Sequence, residues 1–261
     1  MQQHLTSAAM RRALELASAQ DGNTSPNPAV GCVFIKGGTI IAEGAYQGPG
    51  TPHAEIAALR QAGADARGAT AYVTLEPCSH RVSRDGTPRI PCSDALIDAG
   101  VARVVMAIED PDPRTAGQGR DRLIVAGIDV ETGDGGAESS RLLEAYLKHR
   151  RTGMPFVVVK YAGSLDGRIA AGSGDSRWVS GPETLRWAHA NRPKLDAIMV
   201  GASTIVIDDS QLTARPEGVL APRQPLRVVV DSSGRIATSA KVLAGESRTL
   251  VATTERSASD W

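Results

Sequence analysis

Cysteine is scarce in this sequence, with three residues among 261, and the number is odd. Disulfide scaffolds use more cysteines in even numbers, so the composition favours metal ligation by two of them with one left over. Long apolar runs are also missing. None approaches the ~18 residues of a transmembrane helix, and the N-terminal residues, which include Arg11 and Arg12, lack the apolar stretch of a signal peptide. We therefore expect a cytoplasmic protein without a membrane partner.

Net charge is absent as well, because the 29 basic and 29 acidic residues cancel. No overall field then attracts nucleic acid or an anionic membrane. With only two phenylalanines and no basic stripe, the chain offers RNA little to bind or stack on. The expected partner is a small molecule, and local charges must hold any phosphate that it carries. A homo-oligomer is compatible with this composition.

Alternating helix and strand patterns predict an α/β domain over residues 1–150. The expected elements are a helix at 7–18, a hairpin from the apolar runs 29–35 and 39–42, a helix at 53–62, strands at 71–75 and 101–108, and helices at 92–99, 121–126 and 138–150. This order predicts a mainly parallel sheet covered on both faces.

A second domain is predicted over residues 151–261, after a linker with glycine and proline at 150–155. Its expected elements are strands at 156–160, 197–200, 226–230 and 249–252 and a helix at 182–190, followed by a polar tail at 255–260. Because a strand lies so near the last residue without a helix to cover it, we expect this domain to be truncated at its C-terminus.

Three short motifs point to a metal. His53-Ala54-Glu55 opens one predicted helix, Cys78 follows Glu76-Pro77 at the end of a strand, and Cys92 follows Pro91, with both cysteines expected at helix starts. Zinc binds thiolate and imidazole, and three protein ligands leave its fourth position to a water molecule whose pKa the metal lowers. Glu55 can take the water proton and pass it to a departing amine. Zinc nucleobase deaminases use this set of residue types.

A structural zinc site is the alternative, with His80 as a fourth ligand, because structural sites are normally closed by four protein ligands. Glu55 argues against it, since a structural site needs no base there. Cys32 lies in the apolar run 29–35 and is expected to be a buried spectator.

At these motifs the sequence resembles the bifunctional riboflavin-biosynthesis deaminase/reductase family. The matching words in the first half are Pro26-Asn27-Pro28-Ala29-Val30-Gly31-Cys32, His53-Ala54-Glu55, Thr74-Leu75-Glu76-Pro77-Cys78-Ser79-His80, Pro91-Cys92 and Asp94-Ala95-Leu96. Those in the second half are Lys160-Tyr161-Ala162-Gly163-Ser164-Leu165-Asp166-Gly167-Arg168, Ser176-Arg177-Trp178, Asp208-Asp209 and Leu212-Thr213-Ala214-Arg215. The resemblance covers nearly the whole chain.

The resemblance implies a three-layer α/β deaminase domain of the cytidine deaminase type, followed by a partial domain similar to dihydrofolate reductase. It implies zinc-dependent deamination of a phosphoribosylamino diaminopyrimidinone and then NADPH-dependent reduction of its ribosyl chain. Glu55 would be catalytic, and His53, Cys78 and Cys92 would hold zinc. The substrate-binding residues would be Asn27, His80, Ser176, Arg192, Leu212 and Arg215. The NADPH-binding residues would be Ala162, Trp178, Thr204, Asp208 and Ser232.

Two departures from the family pattern affect these expectations. The loop 79–91 between the two predicted cysteine ligands is about five residues longer than the family's usual spacing, which costs little loop entropy. It brings in Arg81, Arg84 and Arg89 and bears on substrate choice. No glycine-rich turn for cofactor phosphates follows Ser232, so we expect deamination without reduction. A deaminase acting on another base and a non-catalytic zinc-stabilised binding module remain alternatives.

Overall fold

A computed structural model gives the fold and describes residues 7–82, 86–176 and 179–258. The chain divides into two compact units, a first unit Met1–Val157 and a second unit Val158–Trp261. None of the helices in the described ranges is both long enough and apolar enough to span a bilayer.

The described part of the first unit contains one five-stranded sheet. Its strands are β1 Gly31–Lys36, β2 Thr39–Ala45, β3 Thr70–Val73, β4 Arg103–Met106 and β5 Asp129–Thr132. Its α-helices are α1 Ala8–Ser18, α2 Ala54–Ala62, α3 Cys92–Asp98, α4 Gln118–Val125, α5 Gly136–Leu142 and α6 Glu144–Thr152. The strand order is β2-β1-β3-β4-β5. Strand β1 is antiparallel to both neighbours, whereas β3, β4 and β5 are parallel.

Helices cover both faces of this sheet and make three layers. On one face, Met10 and Ala13 of α1 pack against Val33 and Val105. On the other face, helices α2, α3 and α4 supply the buried side chains, which meet Phe34, Val73 and Val104 of the sheet. Burial of these apolar surfaces is the main stabilising contribution to the unit. The predicted three-layer α/β architecture is confirmed.

Helix α2 lies unusually close to strand β2. A Cβ atom at Gly44 would be 2.2 Å from the carbonyl oxygen of Ala54 and 2.7 Å from the amide nitrogen of Ala58. No side chain fits between two backbones at that distance, so glycine is required at position 44. This contact fixes the helix that begins directly after His53.

Most predicted elements of the first unit are present, with three differences. The sheet is mixed rather than mainly parallel, because the hairpin of β1 and β2 joins it in antiparallel pairing. Strand β5 was not predicted; its exposed side chains carry little apolar signal. The helix expected at 138–150 is two helices, α5 and α6, which meet at Leu143, where the backbone leaves helical geometry.

The described part of the second unit has a smaller sheet with strand order β6-β7-β8, all parallel. The strands are β6 Ala197–Gly201, β7 Leu226–Val230 and β8 Thr249–Ala252, and the helices are α7 Pro182–Asn191, α8 Ala202–Asp208 and α9 Glu255–Ala258. One face packs onto a cluster that includes Ile205, Ile236 and Val242. On the other face Met199 is 67% exposed and Leu250 52% exposed.

The strand predicted at 156–160 is wrong. Residues 154–160 have no helix or strand assigned, and Val158, Val159 and Tyr161 are exposed. Their β-branched composition favours a strand, but strands are stabilised by pairing, and none of the strands described in this unit pairs with the segment. The prediction of a polar tail at 255–260 missed the short helix α9. Helix α8 was also not predicted.

Candidate metal centre and active site

Three potential metal ligands converge at one edge of the first sheet. Residue His53 precedes helix α2 as its N-cap, Cys78 follows strand β3, and Cys92 is the first residue of helix α3. The carboxyl ends of adjacent parallel strands are a common place for active sites in α/β proteins. The helix start predicted for Cys92 is confirmed, but the one predicted for Cys78 is wrong, because residues 76–80 have no helix or strand assigned.

The spacing of these donor atoms suits zinc. The Nδ1 atom of His53 lies 3.8 Å from Cys78 Sγ and 3.4 Å from Cys92 Sγ, and all three donor atoms lie within 4.8 Å of one another. A tetrahedral zinc ion, with bonds of about 2.0 Å to nitrogen and about 2.3 Å to sulfur, holds such atoms about 3.5 to 3.8 Å apart. Two thiolates and an imidazole are the donors that zinc prefers, so the residues fit the metal.

The guanidinium of Arg89, from the long loop 79–91, faces the same donors. Its Nη2 atom lies 2.9 Å from His53 Nδ1, 3.1 Å from Cys78 Sγ and 4.0 Å from Cys92 Sγ. The three donors therefore form a position where positive charge is stabilised. A zinc ion held by His53, Cys78 and Cys92 would supply that positive charge.

Hydrogen bonding within the donor set favours one thiolate. The hydrogen bond that the Cys92 thiol donates holds the pKa of Cys78 well below its usual value, although burial acts in the opposite direction. The pKa of Cys92 is raised, because it is the donor of that hydrogen bond and is fully buried. The backbone amide of Cys92 also points at Cys78 Sγ, at 3.4 Å. Cys32 lies apart in β1, and burial raises its pKa.

Glu55 sits in the first turn of α2, and its side chain is 3% exposed. Burial raises the pKa of this carboxyl, with the charge of Cys78 acting in the same direction and that of His53 opposing it. It lines the same cavity as His53 and Cys78. A carboxyl group in this place can exchange protons with a molecule bound in the cavity.

The cavity has a volume of about 700 Å³ and contains both of the substrate-binding residues predicted for the first unit. The amide of Asn27 donates a hydrogen bond of 2.8 Å to the hydroxyl of Tyr46. The ring of Tyr46 contacts the His53 ring edge-on, with 5.4 Å between the two ring centroids. His80 is half-buried, which lowers its pKa, and its Nδ1 has no hydrogen-bond partner among the described residues. It does not belong to the donor cluster. Among the described residues, His80 therefore does not complete the closed, four-ligand alternative.

Two carboxylates in the cavity wall were missed by sequence reasoning. Asp110 and Asp112 follow strand β4, and both are buried. Tyr146 donates its hydroxyl hydrogen to Asp110, with distances of 2.9 and 3.1 Å to the two oxygens. Burial raises the pKa of Asp110. Their position after a strand parallel to β3 was a usable signal, since the loops at one sheet edge lie together.

In the second unit, three residues predicted to bind substrate lie close together. Arg192 donates a hydrogen bond of 2.8 Å to the carbonyl of Thr213, which lies between Leu212 and Arg215 in sequence. Burial lowers the pKa of Arg192, and the charge of Arg215 lowers it further. Such a pair suits an anionic group. Ser176 is half-buried in a separate loop.

The positions predicted for NADPH lie on several segments of the second unit. Thr204 and Ser232 follow the carboxyl ends of the parallel strands β6 and β7, and Asp208 ends helix α8 with its side chain exposed. Ala162 lies in the segment without helix or strand, and Trp178 lies outside the described residues.

Family models match both halves of the chain. Residues 3–108 match the cytidine and deoxycytidylate deaminase zinc-binding region, and residues 155–261 match the RibD C-terminal domain. The riboflavin biosynthesis protein RibD of Escherichia coli is 45% identical over 97% of this chain and 70% of its own length. That of Haemophilus influenzae is 44% identical over 87% of this chain and 62% of its own length.

Solved structures show the same likeness. Acinetobacter baumannii RibD has 43% identity and a TM-score of 0.85, over 95% of this chain and 69% of that one. A diaminohydroxyphosphoribosylaminopyrimidine deaminase/5-amino-6-(5-phosphoribosylamino)uracil reductase from Thermotoga maritima has 40% identity and a TM-score of 0.84, with the same two coverages. The present chain thus corresponds to about two thirds of each of these longer proteins.

Proposed function

The chain belongs to the RibD family of riboflavin-biosynthesis deaminase/reductases, and on that basis we propose that its first unit deaminates 2,5-diamino-6-(5-phosphoribosylamino)pyrimidin-4-one. The observation that carries this proposal is the cluster of His53, Cys78 and Cys92 beside a cavity that His53, Cys78 and Glu55 line. Hydrolytic deamination replaces a ring C–NH₂ with C=O and releases ammonia, and it needs a base and acid beside the reacting carbon. A non-catalytic zinc module would need neither Glu55 nor an open cavity.

Each residue of the cavity has a distinct part in this proposal. His53, Cys78 and Cys92 would hold zinc, which when bound would act as a Lewis acid that activates water at neutral pH. Glu55 accepts a proton from the attacking water and delivers it to the departing amine. Its buried carboxyl stays close to the reacting atoms, where few water molecules compete for the proton. Tyr46 holds the Asn27 amide, which orients a polar edge of the substrate.

Ammonia release tests the proposal. The purified chain, loaded with zinc, is expected to release ammonia from the diaminopyrimidinone substrate, and prior removal of zinc by a chelator should abolish the release. Adding zinc back should restore it, because the donor atoms already lie at suitable spacing. A coupled glutamate dehydrogenase assay measures the product. Ammonia release that survives complete zinc removal would overturn the proposed chemistry.

A different substrate base is the second candidate, and the 79–91 loop favours it. Arg89 from this loop reaches the donor cluster and lines the cavity, so the loop contributes directly to the surface that a substrate meets. In the same assay, cytidine, deoxycytidylate and guanine are each compared with the diaminopyrimidinone as substrates. Faster turnover of one of them would assign the chain to that base.

The second unit leads to a separate prediction about NADPH, the cofactor that the family implies for reduction. We expect the chain of 261 residues to bind NADPH weakly and not to oxidise it. The segment that carries Ala162 has no helix or strand assigned and is mostly exposed. Nicotinamide fluorescence during an NADPH titration, with and without the deaminated substrate, measures both properties. Tight saturable binding with oxidation would show that these residues form a working reductase.

A further inference from the structure

Glu76 lies two residues before the ligand Cys78, and its side chain is 3% exposed. Its carboxylate accepts four backbone hydrogen bonds, all from one stretch of chain. Oε2 accepts from the amides of Asp110 at 3.1 Å and Gly117 at 2.9 Å. Oε1 accepts from the amides of Gly119 at 2.9 Å and Arg120 at 3.1 Å.

These four bonds use most of the acceptor capacity of one carboxylate. Three of the donors belong to the N-terminus of helix α4, whose first amides have no partner within the helix, so a negative charge there is stabilising. The fourth donor, Asp110, lies at the other end of the same loop. Glu76 therefore closes residues 110–120 into a loop that is fixed at both ends.

A second observation shows how close this contact is. A Cβ atom at Gly119 would lie 1.9 Å from the carbonyl oxygen of Pro77 and 3.1 Å from Glu76 Oε1. Only glycine permits the start of α4 to approach the backbone that leads to Cys78. The loop is thus seated on the same three residues, 76–78, that deliver a metal ligand.

The fixed loop carries part of the cavity wall. Asp110 and Asp112 line the cavity that contains Glu55, and Tyr146 holds the Asp110 carboxylate from helix α6. Glu76 itself contributes to the floor of this cavity, but its oxygens are occupied by backbone amides. Glu76 therefore affects substrate binding indirectly, through the positions of Asp110 and Asp112.

We propose that Glu76 is a positioning residue that holds the Asp110–Asp112 wall at a fixed distance from the metal ligand Cys78 and so determines substrate affinity. This rests on the deaminase function proposed above. Glutamine at position 76 replaces one carboxylate oxygen with an NH₂ donor. The two buried backbone amides that were bonded to that oxygen then face a donor, and the loop must shift to satisfy them. The proposed metal ligands and Glu55 lie outside the loop 110–120 and keep their places.

The test is Glu76→Gln in the full chain. We expect about one zinc per chain, a KM for the diaminopyrimidinone raised by about tenfold or more, and a kcat within about threefold of wild type. Amide hydrogen exchange by NMR should accelerate at Asp110, Gly117, Gly119 and Arg120. In the wild-type chain these four amides should exchange most slowly within residues 109–120, a measurement that needs no variant and no activity.

Asp231→Asn is the matched control. Asp231 is a carboxylate of the second unit with 1% exposure that accepts a 2.9 Å hydrogen bond from the amide of Ile236. It should accelerate exchange at Ile236 without changing the KM for deamination. Unchanged exchange and KM in Glu76→Gln, loss of zinc with an equal fall in kcat, or fast exchange of the four amides in wild type would each overturn the proposal. If the wild-type chain released no ammonia, the deaminase function would fail before any variant was compared.

Discussion

Replacing Glu55 by glutamine is expected to lower the rate of deamination by ~100-fold or more while zinc content stays at about one per chain. Glutamine keeps the size and much of the hydrogen bonding of the buried side chain, but it cannot accept and return a proton. Burial raises the pKa of Glu55 above that of an exposed carboxyl. Steady-state ammonia release and metal analysis of the same preparation measure the two quantities.

Glu43→Gln is the control for this substitution. Glu43 lies on strand β2, pairs with Arg12 and has no place in the cavity. It should leave turnover unchanged. Undiminished turnover in Glu55→Gln with zinc retained would mean that another group moves the proton.

Replacing Cys78 by serine is expected to reduce both zinc occupancy and thermal stability. Cys78 is one of the three proposed zinc donors, and a serine hydroxyl is a weak ligand at neutral pH. Because metal binding to a folded site stabilises the folded state, the loss of zinc lowers the melting temperature. Metal analysis and thermal unfolding with and without chelator measure this. A chelator should lower the melting temperature of the wild-type chain much more than that of the variant.

Cys32→Ser separates ligand loss from the general cost of a buried hydroxyl. Cys32 is fully buried in β1 and lies outside the donor cluster, so this variant should lose stability but keep its zinc. Full zinc occupancy in Cys78→Ser would remove Cys78 from the ligand set.

Local sequence signals were sufficient for much of the first unit. The hydrophobic spacing of α1, the hairpin of β1 and β2, and the helix after His53 all depend on neighbouring residues, and the structure confirms these elements. The short motifs around His53, Cys78 and Cys92 also identified residues that the fold brings together. At this site the residue types, two cysteines and a histidine, by themselves favour metal binding.

The features that sequence missed depend on distant parts of the chain. The sequence motif contains Glu76 but does not predict its hydrogen bonds, because its four amide partners lie 34 to 44 positions away. The strand expected at 156–160 failed for the related reason that a strand needs a partner, which local composition does not specify. Arg89 was noted in the loop, but its distance from the donors follows from how the loop folds back.

The contact between Gly44 and helix α2 also constrains the motion of the active site. With two backbones in direct contact, α2 can neither tilt towards the sheet nor slide over it without a collision. His53 and Glu55 lie at the start of this one helix, so the metal ligand and the proposed base move as a single rigid body. Whatever fluctuations the surrounding loops undergo, a glycine on the neighbouring strand thus helps to preserve the separation of these two residues.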